Sequence, residues 1–150
     1  MDLLTILREA IGQKASDIHL KLGVPPMFRI SGSLGAMPGA ERLDRAALGA
    51  LMGELLTDYH REKLQRHLQV DLAYGTDDLG RFRVNVFQQR GELQAALRAI
   101  PPRVRRLHEL DLPPVIERIA QERRGLVLVT GTTGSGKSTT LAAMIDCLNR

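Results

Sequence analysis

Apolar positions along this chain change their period several times, and each change marks an element. Leu3, Leu4, Ile6, Leu7 and Ile11 recur at helical spacing, with Asp2, Arg8 and Glu9 on the polar side, so Met1 to Gln13 reads as an amphipathic helix. Asp17 to Leu22 alternates apolar and polar residues and predicts a strand, ended by Gly23 and the Pro25-Pro26 pair. Met27 to Ile30 predicts a second strand, turning at Ser31-Gly32-Ser33 into a short third around Leu34. Asp44 is placed to cap a helix carrying Leu48, Leu51, Met52, Leu55 and Leu56. A further helix with a charged outer face is predicted from about Asp58 to Leu68.

The period then returns to two. Val70 to Tyr74 opens a strand-rich section, Asp77-Asp78-Leu79-Gly80 predicts a turn, and Arg81 to Gln89 a strand. Arg90-Gly91-Glu92 predicts a hairpin turn into Leu93 to Ile100. Strands interleaved with these helices imply an α+β domain built on one antiparallel sheet over residues 1–100. Residues 101–114 hold two proline pairs and several charges, the composition of an interdomain linker. Pro113 and Pro114 suit the start of a helix over Val115 to Gln121. Leu126, Val127, Leu128 and Val129 form an apolar run of the kind expected of a buried parallel strand. Leu141, Ala142, Met144, Ile145 and Leu148 then repeat at helical spacing.

Between that predicted strand and helix lies the segment that carries chemistry. Gly131-Thr132-Thr133-Gly134-Ser135-Gly136-Lys137-Ser138 satisfies the pattern G-x-x-x-x-G-K-[ST] of a phosphate-binding loop. A triphosphate is a dense cluster of negative charge, and holding it out of water requires many donors at close range. Small residues let successive backbone N–H groups turn inward as an anion nest. A helix starting near Lys137 points its free amides and the positive end of its dipole at the phosphates. Lys137 adds a mobile positive charge for the β- and γ-phosphates, Ser138 a hydroxyl for Mg²⁺, and Thr139 a further donor on the α-phosphate side. The expected ligand is therefore a nucleoside triphosphate with Mg²⁺.

A second candidate lies on the strand Arg81-Phe82-Arg83-Val84-Asn85-Val86-Phe87. Alternation places Phe82, Val84 and Val86 on one face and Arg81, Arg83 and Asn85 on the other. Such a row either receives an anion or is an ordinary solvated sheet face, and spacing alone leaves both readings open. Arg98, on the next strand, joins the row only if the hairpin register brings it there. Asp17 and His19 share a strand face, which reads as a structural hydrogen bond. The four histidines show no metal-ligand spacing.

Composition narrows the classes. The chain has 150 residues, 25% charged, with a formal net charge of +4. Its basic residues are spread along the chain and aromatic residues make up only 3%, so no specific nucleic-acid partner is expected. No apolar stretch approaches the ~20 residues that span a bilayer, so membrane insertion is not expected. The single cysteine, Cys147, forms no internal disulfide and suits a reducing cytoplasm.

Four blocks, taken in order, are more specific than the loop. Ala15-Ser16-Asp17-Ile18-His19-Leu20, Arg81-Phe82-Arg83-Val84-Asn85, Arg98-Ala99-Ile100-Pro101 and Gly125 through Asn149 resemble the type IV pilus retraction ATPases, the PilT family of twitching motility, within the wider secretion ATPases. The resemblance implies a PAS-like α+β N-terminal domain over 1–100, a linker over 101–114, and over 115–150 the first strand, phosphate loop and helix of an incomplete RecA-like α/β domain. It implies a homo-hexamer hydrolysing ATP at the cytoplasmic side of the inner membrane, docked on the pilus platform protein and pilus machinery. It also implies that N-terminal-domain arginines reach the nucleotide phosphates; carried over, these are Arg81, Arg83 and Arg98, in that order of preference. Thr132 departs from the family's usual proline. Walker B, the catalytic acid and a motif histidine would all fall beyond Arg150, so the chain is expected to be the N-terminal portion of a longer motor, or a truncated product, and inactive alone. The rival readings are a type II secretion or pilus extension ATPase, and a non-catalytic assembly module. The start of the chain at the PAS-like region favours retraction.

Overall fold

The computed structural model describes residues 1–101, 103–132 and 135–150. The chain divides into two compact units, Met1–Pro101 and Pro102–Arg150.

The first unit begins with helix α1 (Leu3–Gly12), followed by three short strands, β1 (Asp17–Lys21), β2 (Met27–Ile30) and β3 (Ser33–Ala36). Helices α2 (Arg45–Leu55) and α3 (Asp58–His67) precede the long strands β4 (Gln69–Thr76), β5 (Gly80–Gln89) and β6 (Glu92–Ile100). The six strands form one sheet in the order β3-β2-β1-β6-β5-β4. Every neighbouring pair is antiparallel. The outcome is the mixed α/β domain with a single antiparallel sheet that the changing period implies.

Alternation along the strands decides the two faces. Ile18, Leu20, Phe28, Val70, Leu72, Phe82, Val84, Val86, Ala95 and Leu97 are buried in one cluster with Leu3, Ile6, Leu7 and Ala10 of α1, with Leu48, Leu51, Met52 and Leu55 of α2, and with Leu64 of α3. The helices thus cover one face of the sheet, and the intervening residues of each strand line the other. Two strand connections are two-residue turns with positive φ at both positions, Ser31-Gly32 between β2 and β3 and Arg90-Gly91 between β5 and β6. This is the mirror-image turn that matches the twist of an antiparallel pair, and it fixes the register of both hairpins.

Helix starts follow short polar side chains. The Asp2 carboxylate accepts from the Thr5 amide at 2.7 Å, and Asp44 Oδ1 accepts from the Ala47 amide at 2.7 Å. Asp44→Ala removes the cap of α2, and an equilibrium loss of about 1 kcal/mol is expected; Asp44→Asn, which keeps the acceptor, retains most of it. Urea denaturation followed by circular dichroism measures the difference.

The second unit holds a 3-10 turn at Leu107–Glu109, α4 (Val115–Ala120) and α5 (Lys137–Leu148). The turn lies inside the proline-rich stretch and is tied by Glu109, which accepts from the Arg106 amide at 2.7 Å and from Arg103 at 2.6 Å. Those two donors, the backbone amide foremost, hold the Glu109 carboxyl below its ordinary pKa. Ala120 of α4 and Ala143 and Met144 of α5 are buried.

One predicted element is corrected. Leu126–Val129 forms no strand: these residues pair with no neighbour among the described residues, and Leu126 and Leu128 are 83% and 75% exposed. A parallel strand takes both its hydrogen bonds and its packing from flanking strands. An apolar run without such flanks forms no strand.

Candidate functional site

Gly131 and Gly136 adopt φ of 146° and 89°, values that a side chain resists. A Cβ on Gly131 would stand 2.7 Å from Ser135 Oγ, a hydroxyl that can rotate aside, so the demand for glycine there comes from the backbone angle. Gly136 caps α5 in the left-handed region, and its carbonyl accepts from the Thr140 amide at 2.9 Å. Ahead of that first bond, the amides of Lys137, Ser138 and Thr139 have no partner within the helix. The Lys137 ammonium folds back over the loop and donates to the carbonyls of Gly131 at 2.8 Å and Thr132 at 2.6 Å. Ser138 and Thr139 are exposed in the first turn of α5, and Ser135 is exposed just before it. Thr133 and Gly134, which belong to the predicted loop, lie outside the described residues. No cluster of three or more His, Cys, Asp or Glu side chains is arranged for a metal among the described residues.

The arginines stand on the sheet face away from the helices. Register places Arg98 opposite Arg83 on one side and Asp17 on the other, and Asp17 opposite Arg29. Arg29, Asp17, Arg98 and Arg83 therefore form one row across β2, β1, β6 and β5. Arg81 is one pleat along the same face of β5, opposite Ile100 and Gly75. A shallow groove of about 240 Å³ is lined by Asp17, Asp71, Arg83, Asn85 and Arg98 among others. So the structure brings Arg83 and Arg98 side by side, with Arg81 next to them. It adds two residues that the sequence reading passed over, Arg29 and Asp71. Their membership depends on which residues face each other across strands, and the β1–β6 pairing joins residues up to 81 apart in sequence.

Like charges directly opposed across a sheet repel, and carboxylates interleave here to offset that. Asp17 Oδ1 accepts from Arg98 Nε at 2.8 Å; Oδ2 lies 3.6 Å from Arg29 Nε and accepts from Ser16 Oγ at 2.8 Å. Asp71 lies 3.6 Å from Arg83 on the same face. Partial burial alone would raise the Asp17 pKa, but the bonds from Arg98 and Ser16 and the charges of Arg98 and Arg29 outweigh it and hold the carboxyl below its ordinary value. The expected hydrogen bond between Asp17 and His19 is not made. Asp17 is taken by Ser16 and the arginines, and the buried His19 Nε2 has no partner among the described residues.

A lowered folded-state pKa means that the contribution of Asp17 is present above its unfolded pKa of about 3.9. It is lost as pH falls through that value towards the folded one. Urea midpoints taken between about pH 6 and pH 2 are expected to fall less steeply for Asp17→Asn than for the unaltered chain.

Together these features define a class: an α/β domain with helices on one face of its sheet and basic residues on the other, followed by a glycine-rich loop and a lysine-led helix. The family model for type II/IV secretion system proteins matches residues 2–150, and the chain belongs to that family. It is 41% identical over 149 residues to the type IV pilus retraction ATPase PilT of Pseudomonas aeruginosa, covering 99% of this chain and 43% of that protein. It is 37% identical over 147 residues to a twitching motility protein of Neisseria gonorrhoeae, covering 98% of this chain and 39% of that one. Among solved structures, the pilus retraction motor PilT with bound ADP superimposes with a TM-score of 0.91 at 43% identity, over 100% of this chain and 44% of that one. The Legionella pneumophila ATPase DotB gives 0.74 at 32% identity, over 93% of this chain and 40% of that one. The chain thus spans about two fifths of the length of the relatives it matches.

Proposed function

We propose that this chain supplies the sheet domain and phosphate loop of an ATPase that retracts type IV pili. The observation that carries the reading is the likeness over the whole chain to a pilus retraction motor crystallised with ADP. In this reading the sheet domain is PAS-like, and residues 115–150 begin a RecA-like domain. The amides of Gly131 through Thr139 gather around the phosphates, Lys137 neutralises the β- and γ-phosphates, and Ser138 holds Mg²⁺. Arg81, Arg83 and Arg98 act as the electrostatic clamp, stabilising charge on the transferring group. The active assembly is a hexamer on the cytoplasmic side of the inner membrane, engaged with the pilus platform. No helix among the described residues is long and apolar enough to cross a membrane.

The test is magnesium-dependent ATP turnover by the full-length protein, with the mass of the assembly read by light scattering. Turnover by a hexamer that vanishes in the 150-residue chain alone is expected. Brisk hydrolysis by the short chain would place the catalytic machinery elsewhere. A type II secretion motor is the second reading, since the chain is also 30% identical over 156 residues to type II secretion system protein E of Pseudomonas aeruginosa. Deletion of the gene separates the two, through loss of twitching in one case and loss of protein export in the other.

A further inference from the structure

The row Arg29–Asp17–Arg98–Arg83 holds three guanidiniums and one carboxylate, and the carboxylate is the least exposed of the four. The Asp17 side chain is 14% exposed, against 38% for Arg29, 73% for Arg98 and 74% for Arg83. Arg98 Nε and Ser16 Oγ donate hydrogen bonds to it, and Arg29 Nε stands 3.6 Å away as an ion-pair partner. Asp17 therefore occupies, from within the fold, the kind of position an oxyanion takes between guanidiniums. Arg83 has only the exposed Asp71 at 3.6 Å. The row is thus divided: Arg29 and Arg98 are engaged with an internal anion, while Arg83 is loosely held.

We propose that Asp17 is an internal counter-anion for the arginine row: it engages Arg98 when no ligand is bound, and a polyphosphate binds by taking Arg98 from it. This rests on the reading of Arg81, Arg83 and Arg98 as a phosphate clamp and adds its regulation through the row that Arg83 and Arg98 share with Asp17. A clamp of three unopposed arginines on an exposed sheet face would take up any free phosphate or diphosphate. With Asp17 in place, a ligand must outcompete a carboxylate held by two hydrogen bonds and an ion pair to recruit Arg98. The residue thereby weakens the binding of anions to the row.

Removing the charge has two opposed consequences. Arg98 loses an anchor, which disfavours binding through side-chain ordering. The ligand loses both a competitor and a repulsion that acts on each of its own charges, and this second effect wins at low salt, where screening is weak. Asp17→Asn is therefore expected to tighten binding of inorganic tripolyphosphate about 3- to 10-fold at about 50 mM salt. The gain for inorganic phosphate is expected to be smaller, because it carries less charge for Asp17 to repel.

The experiment follows the arginine Nε–Hε signals of the whole chain by NMR during titration with tripolyphosphate, for the unaltered chain, Asp17→Asn, Arg98→Ala and the double variant. The expected result is that the Arg83 and Arg98 signals move in the unaltered chain, that Asp17→Asn tightens binding, and that the gain largely disappears in the Arg98→Ala background. Coupling of this kind does not arise from a general change in fold or field. If tripolyphosphate moves none of the Arg29, Arg83 and Arg98 signals, the clamp reading itself fails. If it moves them but Asp17→Asn leaves binding unchanged or weaker, or tightens it equally without Arg98, the counter-anion role is overturned while the clamp stands. Should Asp17→Asn not fold, Ser16→Ala, which removes one donor from the carboxylate, is expected to weaken tripolyphosphate binding by freeing Asp17 to hold Arg98 more firmly; unchanged or tighter binding overturns the proposal.

Discussion

Lys137→Ala is expected to weaken Mg²⁺-dependent ATP binding by about 100-fold or more, because charge-assisted hydrogen bonds contribute about 1.5–3 kcal/mol each and in the proposed site the ammonium serves more than one phosphate oxygen. The change removes no packing of consequence: the side chain lies over the loop and donates to the carbonyls of Gly131 and Thr132. Folding should therefore be spared while the ligand is lost. Lys137→Arg is expected to recover little. Its planar fork cannot make the compact contacts that an ammonium makes among loop carbonyls and phosphate oxygens. Calorimetric titration of ATP with and without Mg²⁺ measures both variants, and thermal melts separate a binding defect from a folding one.

The second large effect lies in the sheet domain. Phe82 is fully buried near the start of β5, while Arg83, the next residue, points to the opposite face and is exposed. Phe82→Ala leaves a cavity and is expected to destabilise the domain by about 3–5 kcal/mol. That is a large fraction of the ~5–15 kcal/mol that holds a typical domain folded. Arg83→Ala is expected to change stability by no more than about 0.5 kcal/mol, since its pair with Asp71 is solvated. The drop in urea midpoint should thus differ severalfold between two neighbouring residues. Equal losses would mean that the strand's two faces are not divided as described.

The contrast between Phe82 and Arg83 was legible in the sequence because a strand's period of two needs no partner to be read. The same holds for Asp44, whose position before an apolar helical repeat marks the start of α2 to the residue. The hairpin turn at Arg90-Gly91 was equally local. What could not be read was the assembly of the arginine row. Arg98 meets Asp17 across a β1–β6 pairing that closes the sheet between its first and last strands, and no local pattern encodes that register. Without it Asp17 looked like a partner for His19, two residues away on the same strand, instead of for Arg98 and Arg29. The apolar run Leu126–Val129 misled for the opposite reason. Its composition reads as strand, but strand structure is made by neighbours, and none pairs with it among the described residues.

The two candidate groups differ in how they were found. The glycine loop was visible as a motif, and its geometry adds reasons for Gly131 and Gly136 and a position for the Lys137 ammonium. The arginine face needed both the family resemblance and the sheet register.

The account rests on the loop before α5 accepting a nucleotide polyphosphate. The most direct measurement is calorimetric titration of the full-length protein with ATP in the presence and absence of Mg²⁺. One saturable site per chain that requires Mg²⁺, and that disappears with Lys137→Ala, is the predicted result. Absence of Mg²⁺-dependent uptake, or uptake that Lys137→Ala leaves unchanged, would contradict it.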